Sequence, residues 1–564
     1  MKPRLAKSHL LFAAAIIVVM SGLTLAQQRP TMPEGHSTMS GRVTTADTGK
    51  PIPGAGVEIV TYNSLTSRFR TVTTDADGKF EFTNLPAGRY EVASQASRYV
   101  RMQYGQKEPG PVSLLNPART IELKDGESLT AVDFSLWPFS AIEGTVVDEF
   151  GDPAPNVAIQ VSQVQFAGGR RRLMPVGSGT IRPTDDLGNF RFSGLAPGDY
   201  YLVAVSGTFA DPNAAAGFAI TFHPGTPKAA DAQVVRLPPG RDVAGVTFQL
   251  IPASMVRVAG SLVDGAGAPL RGEVVLIPSE RTGSALFVMS RTSADPNGRF
   301  VFRNVPPGSY TIQAFGALPP NGPGNLGAAA FGFLPVEVRG QDFDKLIVVI
   351  PKARTLSGRI TFDGDMSQMP RPADIFLSAR PVDFESAPIG GGPSPQTVRD
   401  DWTFEVGAMS GLRVITAATR SGAWLVHKVF AGGQDVTDTP LDLRENDVSG
   451  VEVVLTTRFS TLTGAVVDAD AKPVPGATVV VFADDETKWG VWSRWVAPVP
   501  TDAKGAFSLR GLPAGTFVAA PVTSMLPGEW QDPAFLKKLR VSGDAVRFSM
   551  SEGGKSTISL TMKR

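Results

Sequence analysis

Four stretches of the chain alternate apolar and polar residues in the same way. In KFEF, Phe80 and Phe82 fall on one side and Lys79 and Glu81 on the other, and NFRF repeats this with Phe190 and Phe192. Period two marks a half-buried strand, because successive side chains leave opposite faces of the pleat. Each such strand follows an acid-and-glycine turn and precedes a second alternating run, as in DADGKFEFTNLPAGRYEV from Asp75. DDLGNFRFSGLAPGDYYL from Asp185, DPNGRFVFRNVPPGSYTI from Asp295 and DAKGAFSLRGLPAGTFVA from Asp502 share the plan. The turn glycines are Gly78, Gly188, Gly298 and Gly505, and a second glycine follows ten residues later at Gly88, Gly198, Gly308 and Gly515. A degraded fifth copy, DDWTFEVGAMSGLRVI, begins at Asp400 and carries Trp402 where the turn glycine belongs. Each unit opens on Gly with a β-branched run, as in SGRV from Ser40, and closes on an apolar alternation such as Val132-Phe134-Leu136.

Repeats of this length govern the whole reading. Short strands at regular spacing, separated by Gly/Pro/Asp turns, predict an all-β chain of sandwich modules. The expected division is 38–138, 139–254, 255–354, a divergent 355–458, and 459–564. A signal peptide at 1–26 and a linker at 27–37 precede them. The best helical candidate is short, DPAFLKKL at Asp532 to Leu539. Bulky residues at a join such as LWPFSAIEGTV, Leu136 to Val146, predict touching neighbours in a semi-rigid rod or arc.

The motifs together resemble the carboxypeptidase regulatory-like domain. They are Gly-x-Val, Pro-Ile/Val-Pro-Gly-Ala, Thr-Asp-x-x-Gly-x-Phe and Leu-Pro-x-Gly-x-Tyr. The resemblance is strongest at 38–97, 141–206, 258–316 and 461–520. It implies Ig-like or prealbumin-like β-sandwiches, grouped with carbohydrate-binding-like folds, that accompany metallocarboxypeptidases without being their catalytic part. The residues that carry it are turn and core residues, so function must be argued from sites instead.

Composition narrows the function classes. The 54 basic and 53 acidic residues leave a net charge of +1, which recommends no nucleic-acid partner. Lys2, Arg4 and Lys7, the apolar Leu10–Met20 and Thr24-Leu25-Ala26 read as an export signal, with an uncleaved anchor as the rival. No membrane span is expected after cleavage. The absence of cysteine excludes disulfides and thiol catalysis. The four histidines, His9, His36, His223 and His427, form no zinc-peptidase spacing. No cofactor or metal is expected, and the chain reads as non-enzymatic.

The Asp-x-Asp-Gly turn could in principle be a calcium loop. About six oxygen ligands are wanted, however, and the second acid is not kept in register, since Asn297 and Lys504 occupy later copies. A hairpin turn is expected instead. Tryptophan is concentrated in KWGVWSRW, where Trp489, Trp492 and Trp495 are the candidate ligand or partner surface. The rival reading buries one and covers the others with a neighbouring module. Read as a strand, the segment would point Trp489 and Trp492 to opposite sides. GGRRRL at Gly168 to Leu173 predicts a solvated hairpin tip. YGQ at Tyr104 and FHPG at Phe222 look like equivalent loop elements, and Asp435, Asp438 and Asp442 lie in a long polar loop.

The expected function is an exported multi-module binding or adhesion protein, periplasmic, cell-surface or secreted. Polysaccharide or a cell-envelope protein is the expected partner. The alternative is a structural stalk or accessory subunit of an envelope enzyme or transport complex.

Overall fold

The computed structural model describes residues 34–63, 66–106, 108–109, 118–176, 181–206, 216–278, 290–316, 331–382, 396–490, 492–502 and 504–563. The expected signal at 1–26 lies outside them. The chain is all-β and builds β-sandwiches. It divides into two compact units, one holding the described residues up to Phe139 and the other those from Ser140 onward.

In the first unit a small sheet orders Lys79–Leu85, Ser37–Thr45 and the closing strands Ser128–Leu129 and Phe134–Leu136. It faces a larger sheet centred on Gly56–Asn63 and Gly88–Gln95. Met39, Val43, Ile59, Phe80, Phe82 and Tyr90 fill the space between them. The second unit repeats this wiring. The opening strands Ser140–Val147, Val256–Asp264 and Thr461–Asp468 each sit between an antiparallel turn strand and a parallel closing strand. The divergent repeat differs, because Leu425–Ala431 pairs with both Leu412–Thr419 and Val448–Thr456 and joins its two layers into one nine-stranded sheet.

Three sequence signatures have direct structural causes. The opening glycines Gly41, Gly144, Gly260, Gly358 and Gly464 lie where the closing strand and a phenylalanine ring come closest. A Cβ on Gly260 would stand 2.4 Å from the Leu346 carbonyl oxygen and 2.8 Å from the Phe300 ring. The turn aspartates act through their side chains. Asp75 Oδ1 accepts the amides of Asp77 at 2.9 Å and Lys79 at 2.7 Å, and Asp185, Asp295 and Asp502 do the same. Gly78 takes φ 74°, the left-handed conformation the turn requires.

The Pro-x-Gly-x-Tyr signature is a tyrosine folded back on its own turn. Tyr90, Tyr200 and Tyr310 donate to the carbonyls of Pro86, Ala196 and Pro306, four residues earlier, at 2.6 to 2.9 Å. Burial pushes the Tyr200 phenol up to about 12. In the divergent repeat, buried Arg413 fills this role by donating to Ser410 O at 2.7 Å and 3.0 Å. There the turn begins at Arg399, one residue before the expected Asp400, and Trp402 adopts φ 65° in the glycine position.

The short helix forms at Pro533–Arg540, capped by Asp532, whose carboxylate accepts the Ala534 amide. Leu536 and Leu539 lie against the outer face of the fifth repeat's larger sheet. This cover explains why all of Thr478–Ala483 is buried.

Two expectations change. The GGRRRL hairpin turns tightly at Gly168 and Gly169, both left-handed, but its tip is docked within the second unit and not simply solvated. Phe166 donates its amide to Pro527 O at 2.7 Å. The second and fifth repeats therefore touch, which departs from the rod and leaves the arc.

Candidate binding site

KWGVWSRW does not form a strand. Asp485 accepts from the Thr487 amide and hydroxyl and starts a single 3-10 turn at Glu486–Lys488. Ser493 then donates its hydroxyl to Lys488 O at 2.6 Å, and Trp492 takes φ 64°. Strand structure resumes at Val496. A loop folded this tightly sends its three indoles in three directions.

Trp489 turns outward under the helix. It is 8% exposed, donates Nε1–H to Ala483 O at 2.7 Å, and sets its ring edge-on to Phe482. Trp495 turns into the sandwich core. It is also 8% exposed and stacks on Phe517 at 5.7 Å, while Lys488 Nζ lies 3.7 Å over the ring. Its Nε1–H is enclosed without an acceptor. Neither ring offers a free face. Trp492 is 40% exposed and reaches the fourth repeat, donating Nε1–H to Pro381 O at 3.1 Å. The Arg380 guanidinium covers it at 4.2 Å.

Arg494, between two of the tryptophans, locks the same junction. Its Nε and Nη2 grip Asp438 at 2.8 and 2.9 Å, and Nη1 donates to His427 O at 3.2 Å. His427 Nε2 in turn meets Glu552 Oε1 at 3.2 Å. Planar two-point pairing of this kind fixes geometry as well as charge.

These contacts hold open a cleft of about 730 Å³ between the fourth and fifth repeats. Trp492, Trp495, Lys488, Arg494, Asp438 and Arg510 line it, with Val414, Thr416 and Leu425 behind. A smaller cavity of about 230 Å³, reaching His427 and Glu552, shares Arg494 and Trp495 with it. The larger volume falls in the range of small-ligand sites, and the mix of apolar wall and a few fixed polar groups suits non-covalent binding.

The other candidates resolve into local roles. His223 sets its ring edge-on to Phe248 at 6.0 Å, as Tyr104 does to Phe134 at 6.1 Å, so the two loops are structural counterparts. Burial pulls the His223 imidazole below its ordinary value, with the Gln233 backbone opposing. Asp435 accepts from Thr437, while Asp442 pairs with Arg444 and is held at about 2 by that hydrogen bonding. Only Asp438 of the three reaches the cleft. Among the described residues no group of three or more His, Asp or Glu could hold a metal ion. Sequence reasoning missed Arg380, Arg494, Lys488 and Arg510. The available signals were Lys488 and Arg494, both inside the KWGVWSRW stretch.

The carboxypeptidase regulatory-like domain model matches residues 38–136 and 461–520. These two segments are carboxypeptidase regulatory-like domains. The second match contains the tryptophan loop. No curated protein matches the chain in sequence. Among solved structures, the minor pilin of Streptococcus agalactiae is 15% identical with a TM-score of 0.24, over 38% of this chain and 96% of that one. A putative carbohydrate binding protein of Pseudomonas aeruginosa is 17% identical with a TM-score of 0.13, over 17% and 89%. Two B repeat units of the collagen binding protein of Staphylococcus aureus are 11% identical with a TM-score of 0.13, over 74% and 99%. Among the described residues no helix is long and apolar enough to cross a membrane, which says nothing of a β-barrel.

Proposed function

We propose that this is an exported, non-enzymatic binding or adhesion protein of five modules, at 38–138, 139–254, 255–354, 355–458 and 459–564. Its ligand is a polysaccharide taken at the cleft between the fourth and fifth modules. The observation that carries the reading is the cleft itself, about 730 Å³ across a junction fastened by Trp492 and Arg494. An exposed indole beside fixed polar groups suits a sugar, whose ring has an apolar C–H face and a polar rim.

The test is a glycan array with the full chain and with Trp492→Ala. Saccharide binding should fall about tenfold in the variant, with a near-native melting temperature. The rival reading, a stalk or accessory subunit, draws on the same fastening, because a locked junction also transmits position. Absence of binding to any glycan, with a cell-envelope protein recovered by pull-down, would establish that reading instead.

A further inference from the structure

We propose that the cleft takes a carboxylated sugar, a uronate segment of an acidic polysaccharide, with Lys488 and Arg510 receiving the carboxylates. This rests on reading the cleft as a glycan site. The charges on its wall do not cancel. Asp438 is neutralised by the two-point grip of Arg494. Glu552 faces His427 in the adjoining cavity. Lys488 and Arg510 make no ion pair among the described residues, although Asp485 feels the Lys488 charge. Aromatic rings hold both cations instead. Lys488 Nζ lies 3.7 Å over Trp495 and the Arg510 guanidinium 5.5 Å over Phe459. A ring positions a cation without cancelling its charge, so both stay available to an incoming anion.

The charge is local. A net charge of +1 gives the whole molecule no general pull on polyanions. The walls also favour a sugar over an acidic peptide. Leu412–Thr419, behind the cleft, is paired along one side with Ile375–Pro381 and on the other at Leu412, Arg413 and Ala418, so the edge left for an added strand is only the four residues Val414–Ala417. The edge strand Val496–Pro500 carries Pro498 and Pro500, which have no N–H to donate. The exposed Trp492 indole meets the demand of a pyranose face instead.

The experiment measures binding of the full chain to an oligogalacturonate, to a neutral oligosaccharide of equal length and to polyglutamate, at low and at physiological salt. Lys488→Gln/Arg510→Gln is compared with Lys472→Gln/Lys504→Gln, which removes the same charge away from the cleft. The expected result is salt-sensitive oligogalacturonate binding, about tenfold weaker in the cleft variant and unchanged in the other. Equal or tighter binding of the neutral oligosaccharide overturns the uronate assignment and leaves the glycan reading standing. Equal loss in both variants, or retention in the cleft variant, overturns the role of the two cations. Polyglutamate binding as tight as oligogalacturonate shows a site that reads charge alone and overturns the sugar assignment. No binding of either saccharide overturns the proposal together with the glycan reading.

Discussion

Gly260 has no side chain because two neighbours already occupy the space where one would stand. The Leu346 carbonyl and the Phe300 ring both lie inside van der Waals distance of an added Cβ. Gly265, in the next turn, has open space around it. Gly260→Ala should therefore destabilise the chain by about 2 kcal/mol or more, and Gly265→Ala by well under that, as read by thermal unfolding. His223 gives a second residue-scale expectation. Its imidazole titrates below the ordinary 6.5, so the unfolded chain takes up the proton first as pH falls. The stability this group supplies is complete above pH 6.5 and is lost as pH drops through that value toward the native one. His223→Phe should flatten the fall of melting temperature between pH 7.5 and 5.

At the scale of elements, strands and turns were legible because their causes are local. Period two places Phe80 and Phe82 inward, and the Asp75 carboxylate bonds amides two and four residues on. The helix was legible for the same reason, with Asp532 as its cap and Pro533 at its first position. The tryptophan segment was not. Read as a strand it sets Trp489 and Trp492 on opposite sides, but Asp485 and Ser493 close it into a loop, and no periodicity reports such side-chain bonds. The partners of Trp492 and Arg494 lie 111 and 56 residues away, at Pro381 and Asp438. Pairing at that range depends on how two sandwiches meet, which a one-dimensional pattern does not carry. The change of hydrogen-bond role from Tyr to Arg413 was also hidden, since the residue before the turn shifts and a charged side chain stands at a core position.

At the scale of the molecule, the second and fifth repeats meet within the second unit, where Phe166 donates its amide to Pro527 O. Gly528 makes it possible, because a Cβ there would stand 2.1 Å from Phe166 O at φ 77°. Gly528→Ala should separate the hairpin from its seat. Hydrogen exchange should then rise at Phe166 and its neighbours, while the sheet cores keep their protection. Unchanged exchange at Phe166 would show that the seat survives without the glycine.

In every repeat the first and last strands lie side by side and run the same way. The polypeptide therefore comes in at one pole of each sandwich and goes out at the opposite pole. Tension applied along the chain falls on that ladder as shear, loading its hydrogen bonds together instead of peeling them one by one. Such a link resists being torn open, a useful property for any tether that must stay folded while what it holds is pulled away.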